Sequence, residues 1–242
     1  MRLGAIGYPR DTVVIPGATK MTEQDTTPDS DDEIENTTTE TDPPDDQTPT
    51  GKAITDRWLT DPVLEAPLPN DVQTALGRLS GAQSVGTLGE WTAEIRRLTD
   101  GGAIGIDELC HSESKTPHWG EMDGERYYFL CFYDAVLLSA LAEQPVDILT
   151  ESPEGVVIQA HATGTADLTV TPPEAVVSFG VERDVAPPDG DLSPADLYGA
   201  VCPYVKPFPN RDAYEDWART VPAETVAMSL SGATDVAAAL IA

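Results

Sequence analysis

Residues 126–141 read RYYFLCFYDAVLLSAL. Arg126–Leu130 is aromatic and aliphatic behind one charge, which predicts a strand. From Cys131 to Leu141 apolar residues fall on every side, which predicts a helix buried all round. Downstream, Val146–Thr150, Gly155–Ala160, Ala166–Thr171 and Ala175–Val181 read as four more strands. Ser-Pro-Glu-Gly, Thr-Gly and Pro-Pro signals separate them. A Pro- and Asp-rich loop over Asp184–Ser193 leads to a short helix at Pro194–Val201 with Ser193 as its N-cap. Asn210–Arg219 predicts another, with Trp217 on its apolar side. An Ala-rich helix over Ser231–Ile241 ends the chain.

Upstream, Val72, Leu76 and Leu79 give Asp71–Leu79 a helical period, and Leu88, Trp91, Ile95 and Leu98 do the same for Gly86–Leu98. Thr87 with Glu90 has the spacing of a capping box. Gly101-Gly102 stops the second helix, and Ala103–Leu109 predicts a short strand, so two helices and a strand form a winged-helix-like unit. Residues 110–125 read as polar and turn-rich. The expected fold class is α+β: a small helical N-terminal module packed on a mainly antiparallel sheet core with flanking helices. The expected domains are a disordered acidic extension over 1–54, the helical module over 55–109, and an α+β catalytic core over 110–242.

The chain has 242 residues, with 42 Asp and Glu against 14 Lys and Arg, for a formal charge of −28. Such a balance speaks against sequence-independent nucleic-acid binding, which needs cations on phosphates, and against anionic membrane surfaces. The acidity is not confined to a tail. Residues 21–50 hold 11 acidic and no basic residues, and without them 31 acidic still face 14 basic, a charge of −17. An acidic body of this kind reads as a halophilic adaptation, because concentrated salt screens its self-repulsion within a few ångströms. No run of 18 apolar residues marks a membrane span, and no signal-peptide pattern opens the chain. Three cysteines are too few and odd for a disulfide framework, so free thiols in a reducing cytoplasm are expected.

Cys131 and Asp134 stand three apart, on one face of the expected helix. A thiol in a first helical turn is favoured as thiolate by the helix dipole. The adjacent carboxylate opposes this, so a proton shared between Cys131 and Asp134 is expected. Cys202 lies 71 residues further on, in Ala-Val-Cys-Pro-Tyr. Two thiols and one acid suit the holding of a soft metal beside a proton donor. Each part alone has a plainer reading: a free cysteine often only fills space, and an Asp in a first turn often only faces the dipole.

The surroundings tip this balance. Ser114-Lys-Thr-Pro-His-Trp119, Asp123-Gly-Glu-Arg-Tyr-Tyr-Phe-Leu-Cys-Phe-Tyr-Asp-Ala135, His161-Ala-Thr-Gly164, Val201-Cys-Pro-Tyr-Val-Lys-Pro-Phe208 and Glu215-Asp-Trp217 occur in one order. Together they resemble the organomercurial (alkylmercury) lyase family, over about residues 70–241. The resemblance implies a helical module on an antiparallel core. It implies that Cys131, Asp134 and Cys202 carry catalysis and also contact mercury, which is substrate and then product. It implies cleavage of a carbon–mercury bond with no organic cofactor, and small thiols or a mercuric reductase as acceptors of Hg(II). Many members carry a further cysteine where Ser152 stands here, and some have paired cysteines at the place of Cys202-Pro203.

Two other functions fit the same residues: a paralogue that sequesters mercury or copper through its thiols without cleavage, and a thiol-sensing winged-helix regulator, which the charge disfavours. Cys110 is expected to be a structural or surface thiol. His118 is expected to be a fold residue in its Thr-Pro-His turn, and His161 a turn residue.

Overall fold

The computed structural model describes residues 57–81, 84–98, 105–188, 190 and 192–242. The expected acidic extension over 1–54 lies outside them, as do the first residues of the expected strand at 103–109. Two helices open the described chain, α1 (Asn70–Ser80) and α2 (Leu88–Leu98). Helix α1 buries Val72, Leu76 and Leu79 on one stripe and ends at Gly81, whose φ of 69° makes the left-handed cap a glycine adopts without strain. Helix α2 starts as its sequence dictates: the Thr87 hydroxyl accepts the Glu90 amide at 3.1 Å. Glu90 reaches back one residue further than the capping box requires, to the Gly86 amide at 2.6 Å. After α2 the expected strand is corrected, because Ile106–Glu108 forms a 3-10 turn. Its Glu108 carboxylate caps the Gly105 amide at 2.7 Å.

A five-stranded antiparallel sheet follows, from β1 (Trp119–Met122), β2 (Glu125–Tyr128), β3 (Pro145–Glu151), β4 (Val157–Thr163) and β5 (Asp167–Thr171), in the order β2-β1-β3-β4-β5. Strand β1 falls in the stretch read as turns. Trp-Gly-Glu-Met carries too little apolar pattern to announce a strand, and only its pairing with β2 and β3 makes it one. On β3, Val146, Ile148 and Thr150 alternate into the core. Helix α3 (Tyr133–Ala142) covers that face and is buried on all sides. At Gly120 an added Cβ would stand 3.0 Å from Val146 and 3.4 Å from Leu138, so the glycine lets α3 and β3 close over β1. The predicted helix began at Cys131, whereas α3 begins at Tyr133 with Phe132 as its N-cap.

The second sheet is three-stranded. Strand β6 (Val176–Glu182) lies between β7 (Pro207–Phe208) and β8 (Ala223–Ser229), all antiparallel. Residues 176–181 are buried without interruption, as a central strand covered on both faces must be. Strands β7 and β8 were not anticipated: two residues give no period, and β8 mixes Ala, Glu and Thr into a strand whose register only β6 defines. Helix α4 (Pro194–Ala200) begins at Ser193, which accepts the Asp196 amide. In α5 (Arg211–Ala218), Trp217 packs on Phe208 with ring centroids 5.1 Å apart. The last helix, α6 (Ala233–Ile241), follows a 3-10 turn at Leu230–Gly232.

The architecture is thus mixed α+β with antiparallel sheets. One apolar core runs from Leu59 through α1, α2 and α3 to α6, so the N-terminal helices share the core of the sheets. Arg57 ties them to β8: its guanidinium pairs with Asp71 of α1 and with Glu224 at 3.0 Å, and donates to the Thr225 carbonyl. Among the described residues no helix is long and apolar enough to cross a membrane.

Candidate functional site

Cys131 sits just before α3, in the tight passage from β2 into the helix, and is 7% exposed. Asp134 occupies the first turn of α3 and is 9% exposed. Cys202 opens a 3-10 turn, Cys202–Tyr204, directly after α4. Ser178 of β6 holds that turn in place. Its hydroxyl donates to the Tyr204 carbonyl at 2.8 Å and accepts the Lys206 amide at 3.0 Å. Gly180 of β6 makes the close approach possible, since an added Cβ would lie 3.0 Å from the Cβ of Tyr204 and 2.7 Å from Thr225.

These elements bring the three residues to one cavity of about 260 Å³, walled mostly by hydrocarbon. Cys202 lies beside Cys131: its thiol, then burial, then the charge of Asp134 push the Cys131 thiol well above its ordinary range, while the backbone at Tyr133 offsets this slightly. The proton expected to be shared between Cys131 and Asp134 is thus held by the Cys131 sulfur at neutral pH. The helix begins two residues later than expected, and the leading partner of Cys131 is the second sulfur, not the carboxylate.

Burial raises Asp134 to about 6, against a hydrogen bond accepted from the Cys110 amide and the nearby His111, both of which favour the charged form. At neutral pH the site thus holds the Cys131 group as a thiol beside the Asp134 carboxylate. The acid is weak enough to take up a proton and strong enough to give it back. Among the described residues no group of three or more His, Cys, Asp or Glu side chains is assembled as a metal cage. The arrangement is a sulfur pair with a carboxylate close enough to act on Cys131 by its charge.

Cys110 is not merely a surface thiol: it lines the same cavity. Its carbonyl accepts the Leu130 amide at 3.0 Å, and its own amide serves Asp134, so this segment fixes the residues on either side of Cys131. No spacing rule links residue 110 to 134, and only the isolated bridge between His111 and Phe129 brings the segments together. Tyr133 was also missed. It is half-buried, lines the cavity, and donates to the Ala233 carbonyl of α6 at 2.7 Å.

His118 is buried and bonds Thr150 at 2.6 Å; burial, with help from Lys206, lowers it to about 4. It is a neutral fold residue. His161 lies on β4 and not in a turn, exposed and 2.7 Å from Asp147. Ser152 closes the β3–β4 hairpin by accepting the Val156 amide at 3.2 Å. A larger cleft of about 770 Å³ is lined by Arg57, Arg78, Arg183 and the carboxylates Asp71, Asp184 and Glu224. It is a meeting of opposite charges without a nucleophile.

Comparison with known proteins follows the same residues. The family described as alkylmercury lyase matches residues 111–242, which include Cys131, Asp134 and Cys202. A protein from Streptomyces lividans named alkylmercury lyase is 30% identical over 115 residues, covering 48% of this chain and 50% of that protein. The chain therefore spans about half the length of this curated relative. A solved structure described as the mercury-bound form of MerB2 aligns over 75% of this chain and 91% of its own, at 17% identity and a TM-score of 0.42.

Proposed function

Because this chain belongs to the alkylmercury lyase family, we propose that it cleaves carbon–mercury bonds by protonolysis, with Cys131, Asp134 and Cys202 as the reacting groups. One thiol attacks the mercury of an R–Hg–X substrate, as soft sulfur favours a soft metal. Its proton passes to the Asp134 carboxylate, and X⁻ departs. The second thiol adds to mercury, its proton leaving with X⁻, and electron density shifts towards carbon. Asp134 then protonates that carbon as the C–Hg bond breaks. The products are R–H and Hg(II) held by two sulfurs, with no change of oxidation state at mercury. Small thiols or a mercuric reductase take up the Hg(II) by ligand exchange, and the working thiols call for a reducing compartment.

The observation that carries this reading is that Cys131, Cys202 and Asp134 line one apolar cavity, with Cys202 and Asp134 both near enough to raise the Cys131 thiol. Thiols 71 residues apart in sequence line the same cavity, as two sulfur ligands of one metal must. The walls are mostly hydrocarbon, and of the two carboxylates on them, Asp134 and Glu108, Asp134 acts on Cys131 by its charge. Helix α2, within the stretch 55–109 read from sequence as a winged-helix-like module beside a catalytic core at 110–242, serves here as a wall of the site: Leu88, Trp91 and Ile95 line the cavity. That role leaves no need for DNA.

The test is hydrocarbon release from methylmercury by the purified protein in high salt. Cys131→Ser, Cys202→Ser and Asp134→Asn should each lower methane production by about 10³-fold or more, the scale on which members of a reacting unit act. Tight Hg(II) binding without methane from the unaltered protein would favour sequestration instead. Methane at the normal rate from Asp134→Asn would remove the proposed proton carrier.

A further inference from the structure

The chain has three cysteines, and all three line one cavity. Cleavage uses Cys131 and Cys202 and leaves Cys110 unused. Two backbone bonds fix Cys110 in place. Its carbonyl accepts the amide of Leu130, the residue before Cys131, at 3.0 Å, and its own amide donates to Asp134. Exposure separates the three residues. Cys131 is 7% exposed, whereas Cys110 and Cys202 are half-buried. The neighbours of Cys110 reach solvent: His111 is exposed, and Leu130 is 60% exposed.

We propose that Cys110 is the exit ligand for Hg(II). It replaces Cys131 on the metal after cleavage and leaves mercury between two half-buried cysteines, Cys110 and Cys202, within reach of a small external thiol. This rests on the reading of Cys131 and Cys202 as the pair that holds Hg(II) when the hydrocarbon departs. Without the exchange the product stays tied to a buried residue, and an incoming thiol must enter a cavity walled mostly by hydrocarbon. Bonds between soft mercury and soft sulfur are strong, yet they exchange readily when a further sulfur adds before the old one leaves. Cys110, bonded through its backbone to the residues on either side of Cys131, is placed to add in this way. Among the described residues no three His, Cys, Asp or Glu side chains are assembled as a metal cage, so the ion is passed on and not kept by all three sulfurs. As the Cys110 sulfur bonds to mercury, its proton passes to the Asp134 carboxylate, which has just given its own to carbon. Asp134 hands that proton to the Cys131 sulfur as the old Hg–S bond breaks. Two external thiols then take mercury from Cys110 and Cys202, and their protons restore both cysteines. Mercury remains Hg(II) throughout.

The test supplies the metal as mercuric chloride, one equivalent per chain, so it does not depend on cleavage. X-ray absorption at the mercury edge counts the sulfur neighbours. Cys131→Ser should still show two, from Cys110 and Cys202, and Cys131→Ser combined with Cys110→Ser should show one. Transfer of Hg(II) from loaded protein to millimolar glutathione is followed by rapid desalting and metal analysis. It should slow about tenfold or more in Cys110→Ser, because a thiol held in place acts at a far higher effective concentration than a free one. Cys110→Ala keeps the backbone bonds to Leu130 and Asp134 and carries the test if the serine variant fails to fold. Equal sulfur counts in the single and double variants would overturn the assignment, as would transfer at the parent rate from a folded Cys110 variant. Hydrocarbon release from methylmercury is measured in parallel on the unaltered protein. Its absence, with transfer still dependent on Cys110, would overturn cleavage and leave Cys110 as a mercury ligand.

Discussion

Asp134 is the residue at which stability and chemistry oppose each other. Its folded value near 6 stands above the ordinary carboxylate value of 3.8, because burial penalises the charge. The folded state therefore holds an extra proton between about pH 4 and 6. The stability this group contributes is present at low pH and lost as pH rises through about 6. A shift of this size corresponds to about 3 kcal/mol, on the order of 1.4 kcal/mol per unit. Asp134→Asn should therefore raise stability towards urea at pH 7–8, by up to about 3 kcal/mol, and flatten its dependence on pH between 4 and 7, while turnover disappears. A variant less stable than the parent at pH 8 would contradict the assignment of burial as the leading cause. In the active protein kcat/KM should fall with unit slope below about pH 6, since a carboxyl already protonated cannot accept the thiol proton.

At the scale of elements, the position of Cys202 depends on strand β6 more than on its own helix. Ser178 and Gly180 form the seat for the Cys202–Tyr204 turn, one by hydrogen bonds and the other by leaving room. Gly180→Ala would put a methyl 2.7 Å from Thr225 and 3.0 Å from Tyr204, so Thr225 must shift and the turn must give by a few tenths of an ångström. The expected stability loss is about 1–3 kcal/mol, as for other overpacked sites. The loss in kcat/KM should be larger, on the order of 10²-fold, because a shift of roughly 1 Å spoils the alignment of reacting groups. Activity measured on protein shown to be folded by circular dichroism separates the two effects. Activity that falls only in step with the folded fraction would assign Gly180 to packing alone.

For the whole molecule the dominant quantity is charge. At −28, like charges crowd a surface whose ion pairs include Arg126–Glu121, Arg211–Glu215 and Arg219–Asp216, all in part exposed. Exposed pairs of this kind contribute little each, so the repulsion is left to salt. The screening length falls from about 10 Å at 0.1 M to about 3 Å at 1 M. Thermal unfolding in KCl should accordingly shift upwards by roughly 5–10 °C between 0.1 and 2 M, a gain of a few kcal/mol for a chain of this size. A melting temperature independent of salt would show that the acidic surface has another purpose.

Much of this protein was readable before folding. The strands at 146–181 alternate or run apolar in lengths that only strands use, the helix after Phe132 is apolar all round, and Ser193 and Thr87 cap where capping chemistry places them. Local rules govern those features, so local sequence sufficed. Cys131, Asp134 and Cys202 were recognisable as a set through motif order, not through physics. What tertiary structure alone decided is who touches whom. Pairing across chain made strands of Trp119–Met122 and Ala223–Ser229, Cys202 and burial pushed up the Cys131 thiol whose proton was expected to be shared with Asp134, and the cavity took in Cys110 and Tyr133. Contacts between distant segments and the loss of water around a charge have no signature in the residues themselves, because both depend on everything else that packs around them.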